Sequence, residues 1–284
     1  MPELPEVETI VIALRLGGRE GPPLIDHVIK NATLNWEGSL AEPSPAEFYA
    51  RVQGQAIKEI SRRGKFLVFR LSRDYLLIHL RMSGDLRAEP ARDERGNDLS
   101  LAPHDRVVFY FEDNLRLAFN DPRKFGRIWL TADPQTVLGS LGPEPLDPSL
   151  TGAGLYRRLN TVHRQLKPLL LDQSFLAGIG NIYSDEALHL AGLHPLLSSD
   201  QLSEEQAGAL LAAIRQVLSN GIHQNGASID WVYRGGEFQN SFRVYQRTGQ
   251  PCPVCGHAIE RILVGQRGTH FCPVCQPLKE KAAA

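Results

Sequence analysis

Two groups of residues near opposite ends of the sequence carry chemistry. The chain starts Met1-Pro2-Glu3. With Met1 removed, Pro2 presents a free secondary amine beside a carboxylate, a nucleophile next to an acid. An α-amino group titrates near pKa 7.7–8.0, so a usable fraction is neutral at pH 7; a lysine amine needs desolvation to reach that state. At the other end stand Cys252, Cys255, Cys272 and Cys275, the only cysteines in the chain. Cys-x2-Cys, sixteen residues, Cys-x2-Cys is the spacing of a four-thiolate zinc site. Two disulfides or four reduced thiols are the alternatives, but four cysteines gathered in the last stretch fit no disulfide framework for a chain this long. One structural zinc ion is expected. Taken alone, Pro2 reads as an idle terminal residue, as such residues usually are, and Pro5 as the opening of a helix, where no amide hydrogen is needed.

The surrounding elements must hold these groups. Val7, Ile10, Val11 and Leu14 recur at helical spacing, which predicts a buried helix over residues 5–16. Residues 57–131 read as β: Phe66–Phe69, Tyr75–Ile78, Val107–Phe111 and Leu115–Phe119 are short, rich in branched and aromatic residues, and separated by turns such as Asp113-Asn114. That pattern predicts an antiparallel sandwich. Gly142-Pro143-Glu144-Pro145, Pro148 and Gly152 punctuate a boundary. Beyond it the chain turns helical. Ser203 and Gln206 form a capping box ahead of an apolar face (Ala207, Leu210, Leu211, Ile214, Val217, Leu218) that Asn220-Gly221 is expected to end. A shorter helix is expected over about 182–191. Gly178-Ile179-Gly180-Asn181 precedes it, either as glycines that free helix N–H groups for a phosphate or as a tight turn with Asn181 as N-cap.

With 284 residues there is room for two domains and a real core. The start is not that of a signal peptide, and no apolar run is long enough to span a bilayer, so a cytoplasmic protein is expected. The formal net charge of −1 does not announce a nucleic-acid partner. The local distribution is more informative: Arg62, Arg63, Lys65, Arg70, Arg73, Arg81 and Arg87 face only Asp74 and Asp85 in one stretch, and Arg243, Arg247, Arg261 and Arg267 face Glu260 near the cysteines. Solvated faces would also account for such runs.

Seven motifs stand in order along the chain: Pro2-Glu3-Leu4-Pro5-Glu6-Val7-Glu8-Thr9, Arg62-Arg63-Gly64-Lys65, His79-Leu80-Arg81-Met82-Ser83-Gly84, Asp121-Pro122-Arg123-Lys124-Phe125-Gly126, Leu141-Gly142-Pro143-Glu144-Pro145-Leu146, Gly180-Asn181-Ile182-Tyr183 and the cysteine finger. Together, over essentially the whole chain, they resemble the bacterial formamidopyrimidine-DNA glycosylases. The related endonuclease VIII group, which acts on oxidised pyrimidines, shares the Pro-Glu start but differs after Glu3. The resemblance implies an α+β fold. Residues 1–135 would be an N-terminal antiparallel β-sandwich with an N-terminal helix, carrying catalysis. Residues 136–154 would be a linker, 155–240 a helix–two-turns–helix DNA-binding domain, and 241–284 the zinc finger hairpin.

The resemblance also implies roles. Such an enzyme flips an oxidised purine, a formamidopyrimidine or 8-oxoguanine, out of duplex DNA. Pro2 attacks the sugar, and the strand is then nicked by β,δ-elimination. Glu3 serves as acid and base, and Lys65 as a second acid and phosphate contact; by itself Lys65 reads as a solvated lysine at a strand edge. Met82, Arg123 and Phe125 match residues that fill the void left by the flipped base. His104, Arg164, Lys167 and Asn181 match positions that grip the DNA backbone, and Arg267 matches the finger arginine on the lesion-flanking phosphates. Glu6 and Glu186 match carboxylates lining the lesion pocket. The partner would be double-stranded DNA with damaged bases or abasic sites, bound by a monomer at the nucleoid of a bacterium.

Three departures stand out. Arg81 and Gln246 occupy positions where the family has glycine. Residues 229–243 look shorter than the family's stretch, which predicts weaker selectivity for 8-oxoguanine over ring-opened purines and abasic sites. A different class, a non-catalytic protein that recognises damaged DNA and uses the finger only to grip, would also use these motifs.

Overall fold

In the computed structural model, residues 1–19, 21–229 and 235–278 are described. The chain forms two compact units, residues 1–140 with 225–236, and residues 141–224 with 237–284.

The first unit is a two-sheet sandwich. Helix α1 (Leu4–Leu16) leads into β1 (Ile29–Leu34), β2 (Leu40–Glu42) and α2 (Pro45–Val52). Strands β3 (Ile57–Arg63), β4 (Phe66–Leu71), β5 (Tyr75–His79), β6 (Asp85–Pro90), β7 (Asp105–Phe111), β8 (Leu115–Asn120) and β9 (Arg127–Thr131) follow, then the single turn α3 (Gln135–Leu138). One sheet has the order β1-β7-β8-β6, the other β2-β9-β5-β4-β3. All pairs are antiparallel except β2 with β9. Inner-face residues of both sheets (Leu67, Phe69, Ile78, Val107, Phe109, Phe119) share one core with Val7, Ile10 and Leu14 of α1. The helix is therefore built into the sandwich. The four strands expected from 66–69, 75–78, 107–111 and 115–119 all form. The sandwich also takes β1 and β2, ahead of the expected β region. β1 reads Ile-Lys-Asn-Ala-Thr-Leu, with too little alternation to announce a strand, and it is specified by its partner β7.

The second unit is helical with a hairpin. It contains α4 (Gly152–Asn160), α5 (Leu166–Leu171), α6 (Asn181–Leu190), α7 (Glu204–His223) and the antiparallel pair β10 (Glu260–Val264) and β11 (Arg267–Phe271). The capping box is as expected: Ser203 N–H donates to Gln206 Oε1 at 2.9 Å and Gln206 N–H to Ser203 Oγ at 3.1 Å. Asn220-Gly221 does not end α7. Gly221 is buried inside the helix, where its cost of about 1 kcal/mol is outweighed by packing; the left-handed pair Asn225 (φ 56°) and Gly226 (φ 78°) follows the true end. The Pro-rich stretch 145–150 is fastened to α7, because Arg215 donates to the carbonyls of Pro145, Asp147 and Leu150 at 2.9, 2.7 and 2.6 Å.

Both departures from glycine sit in left-handed backbone, Arg81 at φ 54° and Gln246 at φ 57°. Side chains with a Cβ lose roughly 1–2 kcal/mol there, while glycine gives back part of that as lost chain entropy. Gln246→Gly is expected to raise stability by about 0.5–1 kcal/mol. Urea denaturation followed by far-UV dichroism tests this, and a lower midpoint would contradict it.

Candidate active site and zinc centre

The start of the chain is fixed by the helix it opens. Leu4, Val7 and Ile10 are fully buried, so α1 draws the preceding residues inside: Pro2 is buried and Glu3 is 2% exposed. Glu6 holds both ends of this arrangement. Its Oε2 accepts the Glu3 N–H at 2.7 Å, the returning half of a capping box. Its Oε1 accepts the Ala227 N–H at 2.7 Å. The 225–229 segment passes so close that a Cβ on Gly226 would lie 2.7 Å from Glu6 Oε1, and only glycine fits there. Glu6 thus shapes the chain start through backbone bonds.

Lys65 lies in the two-residue turn Gly64-Lys65 joining β3 to β4, with Gly64 at φ 57°. It is 4% exposed, which overturns the reading of a solvated edge lysine. Close by, Arg62 Nε bonds Glu8 Oε2 at 2.8 Å and so ties the end of β3 to α1. His79 on β5 pairs with Phe66. Burial first, then the charges of Arg81 and Lys65, push its pKa down to about 3. His79 therefore stays neutral, and its Nδ1 accepts the Arg81 N–H at 3.0 Å.

Two loops of the same unit carry the expected void-filling residues. Met82 is half-buried, while Arg123 and Phe125 are exposed, Phe125 at 49%. Arg123 Cζ stands 5.0 Å above the Phe125 ring. Asp121, wholly buried, organises both loops. Its Oδ1 accepts Ser83 Oγ–H at 2.5 Å and Arg123 N–H at 3.2 Å, and its Oδ2 accepts Gly126 N–H at 2.7 Å. Arg106 adds Nε bonded to Asp121 O at 2.8 Å. Lys124, at φ 61°, sets its ammonium 4.1 Å over the Trp36 ring. His104 is exposed at φ 76° with its ring 3.2 Å from Arg106. Sequence reasoning assigned Asp121, Ser83, Arg106 and Trp36 no role. An Asp directly before Pro is a turn initiator, and that signal could have singled out Asp121.

The remaining expected residues belong to the second unit. Arg164 is exposed and bonds Asp172 at 2.7 Å. Asn181 opens α6 as its first residue, after Gly180 as N-cap; it is not the N-cap itself, and its Nδ2 donates to Gly268 O at 3.1 Å. Lys167 corrects the expectation of a phosphate grip. It is 0% exposed, and its ammonium is taken up by Asp185 Oδ1 at 2.5 Å, Ser184 Oγ at 2.8 Å and Asn181 O at 2.9 Å. Glu186 likewise is committed to protein: its carboxylate accepts the N–H groups of Arg243, Val244 and Tyr245 at 2.9, 3.0 and 2.8 Å. Burial pushes this carboxyl above the ordinary range, and the three N–H bonds oppose that. Arg267 is exposed at the head of β11. Residues 230–234, in the first part of the 229–243 stretch, lie outside the described residues.

All four cysteines are free. Their sulfurs lie within 4.8 Å of one another, with Cys252–Cys275 at 3.8 Å and Cys255–Cys272 at 3.5 Å. A tetrahedral zinc with bonds of about 2.3 Å needs sulfur edges of roughly 3.8 Å, so the cluster fits a closed structural zinc site and not a disulfide. His189 on α6 adds an outer contact. Arg243 Nε donates to its Nδ1 at 3.2 Å, which leaves Nε2–H facing Cys252 Sγ at 3.4 Å. Burial, with Arg243 and Arg247, lowers the His189 pKa to about 4.

Three family models match: the formamidopyrimidine-DNA glycosylase N-terminal domain over residues 1–128, its H2TH domain over 141–232, and the zinc finger found in FPG and IleRS over 249–278. A formamidopyrimidine-DNA glycosylase of Chloroflexus aggregans is 46% identical over 98% of this chain and 99% of its own length. That of Protochlamydia amoebophila is 41% identical over 97% and 99%. Among solved structures, the Lactococcus lactis Fpg (MutM) in complex with DNA containing N7-benzyl-Fapy-dG superposes with a TM-score of 0.86 at 34% identity, covering 97% of this chain and 100% of that one.

Cys272→Ser removes one of four thiolates from a closed site. Coordination supplies on the order of 10 kcal/mol to the folding of finger peptides, so the variant is expected to carry no zinc by metal analysis. Stoichiometric zinc in that variant would refute the four-ligand assignment.

Proposed function

The chain belongs to the formamidopyrimidine-DNA glycosylase family, and we infer that it is a base-excision repair enzyme using Pro2 as the nucleophile of a bifunctional glycosylase and apurinic/apyrimidinic lyase. Its substrates are duplex DNA carrying oxidised purines, with formamidopyrimidines and 8-oxoguanine typical of the family, and abasic sites. The observation that carries the residue assignment is the fixing of Pro2-Glu3 at the head of a helix whose first turn, Leu4 to Val7, is buried, with the Glu3 N–H held by Glu6. An idle terminus frays; this one is held.

Removal of Met1 exposes the Pro2 amine. It attacks C1′, the glycosidic bond breaks, and the base leaves with a proton. The C1′–O4′ bond then opens, O4′ taking up a proton, and the secondary amine is left as an iminium that is cationic at any pH, an electron sink that acidifies the C2′ proton. Loss of that proton drives β-elimination of the 3′ phosphate, and δ-elimination of the 5′ phosphate follows. Glu3 moves protons at the sugar, a role worth roughly 10²–10⁴-fold when well placed. Lys65, held dry in the β3–β4 turn, is the second acid. Dividing one displacement into covalent steps lowers each barrier. Met82, Arg123 and Phe125 occupy the stack once the base has left it, an apolar wedge with a bidentate arginine for the orphaned base. His104, Arg164 and Asn181 contact backbone, and Arg267 contacts phosphate from the zinc finger. The reading puts the protein in the cytoplasm of a bacterium, on nucleoid DNA.

No helix among the described residues is long and apolar enough to cross a membrane. The competing reading, a protein that only recognises damage, has nothing for a held Pro2 and a buried Lys65 to do.

Borohydride added to the mature protein with an abasic duplex is expected to trap a covalent adduct whose peptide map falls on Pro2; an adduct on Lys65, or none, would refute the mechanism. Arg123→Ala is expected to slow cleavage of lesion duplexes by about 10- to 100-fold, the value of one good base contact, and to change affinity for undamaged duplex less than twofold. Equal losses on both duplexes would make Arg123 a phosphate contact.

A further inference from the structure

Lys167 on α5 and Asp185 on α6 form an ion pair from which water is excluded. Both side chains are 0% exposed, with Nζ 2.5 Å from Oδ1. Burying two charges is costly unless their remaining bonding capacity is met. Here it is met on both sides. Ser184 Oγ and Asn181 O take the other two ammonium protons at 2.8 and 2.9 Å. Asp185 Oδ2 accepts the His270 backbone N–H at 2.9 Å and lies 3.1 Å from His270 Nδ1, which must donate to a carboxylate. One further bond runs the same way, Asn181 Nδ2 to Gly268 O at 3.1 Å. The network therefore leads from α5 through the first turns of α6 to two residues of β11, and Arg267 directly precedes the first of them.

We propose that Asp185, backed by Lys167, is a positioning residue that fixes the β10–β11 hairpin on α6 and so presents Arg267 to DNA phosphate in register with Asn181. This rests on the reading of Arg267 as a phosphate contact. Charge-assisted bonds suit the task because they are shorter and roughly twice as strong as neutral ones. The sign of the charge makes the role testable. An aspartate near bound DNA repels phosphate, so a purely electrostatic residue would bind DNA more tightly once neutralised. A positioning residue behaves in the opposite way.

The full-length, zinc-loaded protein is titrated against a duplex with a tetrahydrofuran abasic site, by fluorescence anisotropy at several salt concentrations. Asp185→Asn is expected to weaken binding about tenfold, equivalent to about 1.4 kcal/mol. It should lower the slope of log K against log salt by about 0.9, one phosphate contact, with zinc content unchanged. Asp185→Asn combined with Arg267→Ala should bind no more weakly than Arg267→Ala alone, because the same contact is lost. Should Asp185→Asn fail to fold, Lys167→Met with Asp185→Asn removes both buried charges while keeping an acceptor for His270, and the same fall in slope is expected. Unchanged or tighter binding by Asp185→Asn, an unchanged slope in the neutral pair, or losses that multiply with Arg267→Ala would overturn the inference alone. No effect of Arg267→Ala itself would overturn the reading of Arg267 and the inference with it.

Discussion

A loop that presents side chains to a ligand has backbone N–H groups with no ladder or helix to receive them, and leaving them unmade inside a protein costs 1–3 kcal/mol each. This chain meets the constraint with buried carboxylates. Glu6 takes the N–H groups of Glu3 and Ala227. Asp121 takes those of Arg123 and Gly126, Asp185 that of His270, and Glu186 those of Arg243, Val244 and Tyr245. In every case the carboxylate sits on or beside a regular element, and the donors sit on the chain start, the 225–229 segment, the 122–126 loop, the finger hairpin or the approach to the finger. The carboxylates convert irregular backbone into fixed geometry.

The same bonds hold strain in place. Arg81, His104 and Lys124 are non-glycine residues in left-handed backbone, at φ 54°, 76° and 61°. All three lie in loops that carry or adjoin Met82, Arg123 and Phe125. Conformations of this kind persist only where the surroundings over-determine them. Asp121 with Ser83, Arg106 on the Asp121 carbonyl, and Lys124 on Trp36 supply that excess of constraint. The result is a pair of loops whose backbone is fixed by the protein's own side chains.

What could be read from the sequence was whatever depends on short range. The cysteine spacing, the capping box at Ser203, the helical period of α1 and the four aromatic strands each declare themselves within a few residues. The charged residues of the site were legible as types but not as environments. Lys167 matches a position that grips the DNA backbone by residue type and place in the sequence; only the fold brings Asp185 to it, 18 residues on, and His270 to Asp185, 85 residues on. Glu186 matches a pocket carboxylate of the family in sequence, and only the fold shows that its oxygens take three N–H groups 57 to 59 residues on. β1 and the end of α7 were misjudged because a strand partner and a buried Gly221 outweighed local preference.

The returning segment 225–236 has a consequence for how this chain can change over generations. The polypeptide passes from one unit to the other three times, after residues 140, 224 and 236, and the last visit to the first unit delivers the Ala227 N–H to Glu6. No single cut yields a complete N-terminal unit. Recombination at one junction would strip the chain start of a partner supplied from more than two hundred residues downstream. The two units, although each has a core of its own, are therefore inherited as one piece, and a gene fusion that exchanged only the helical half would have to carry this strap with it.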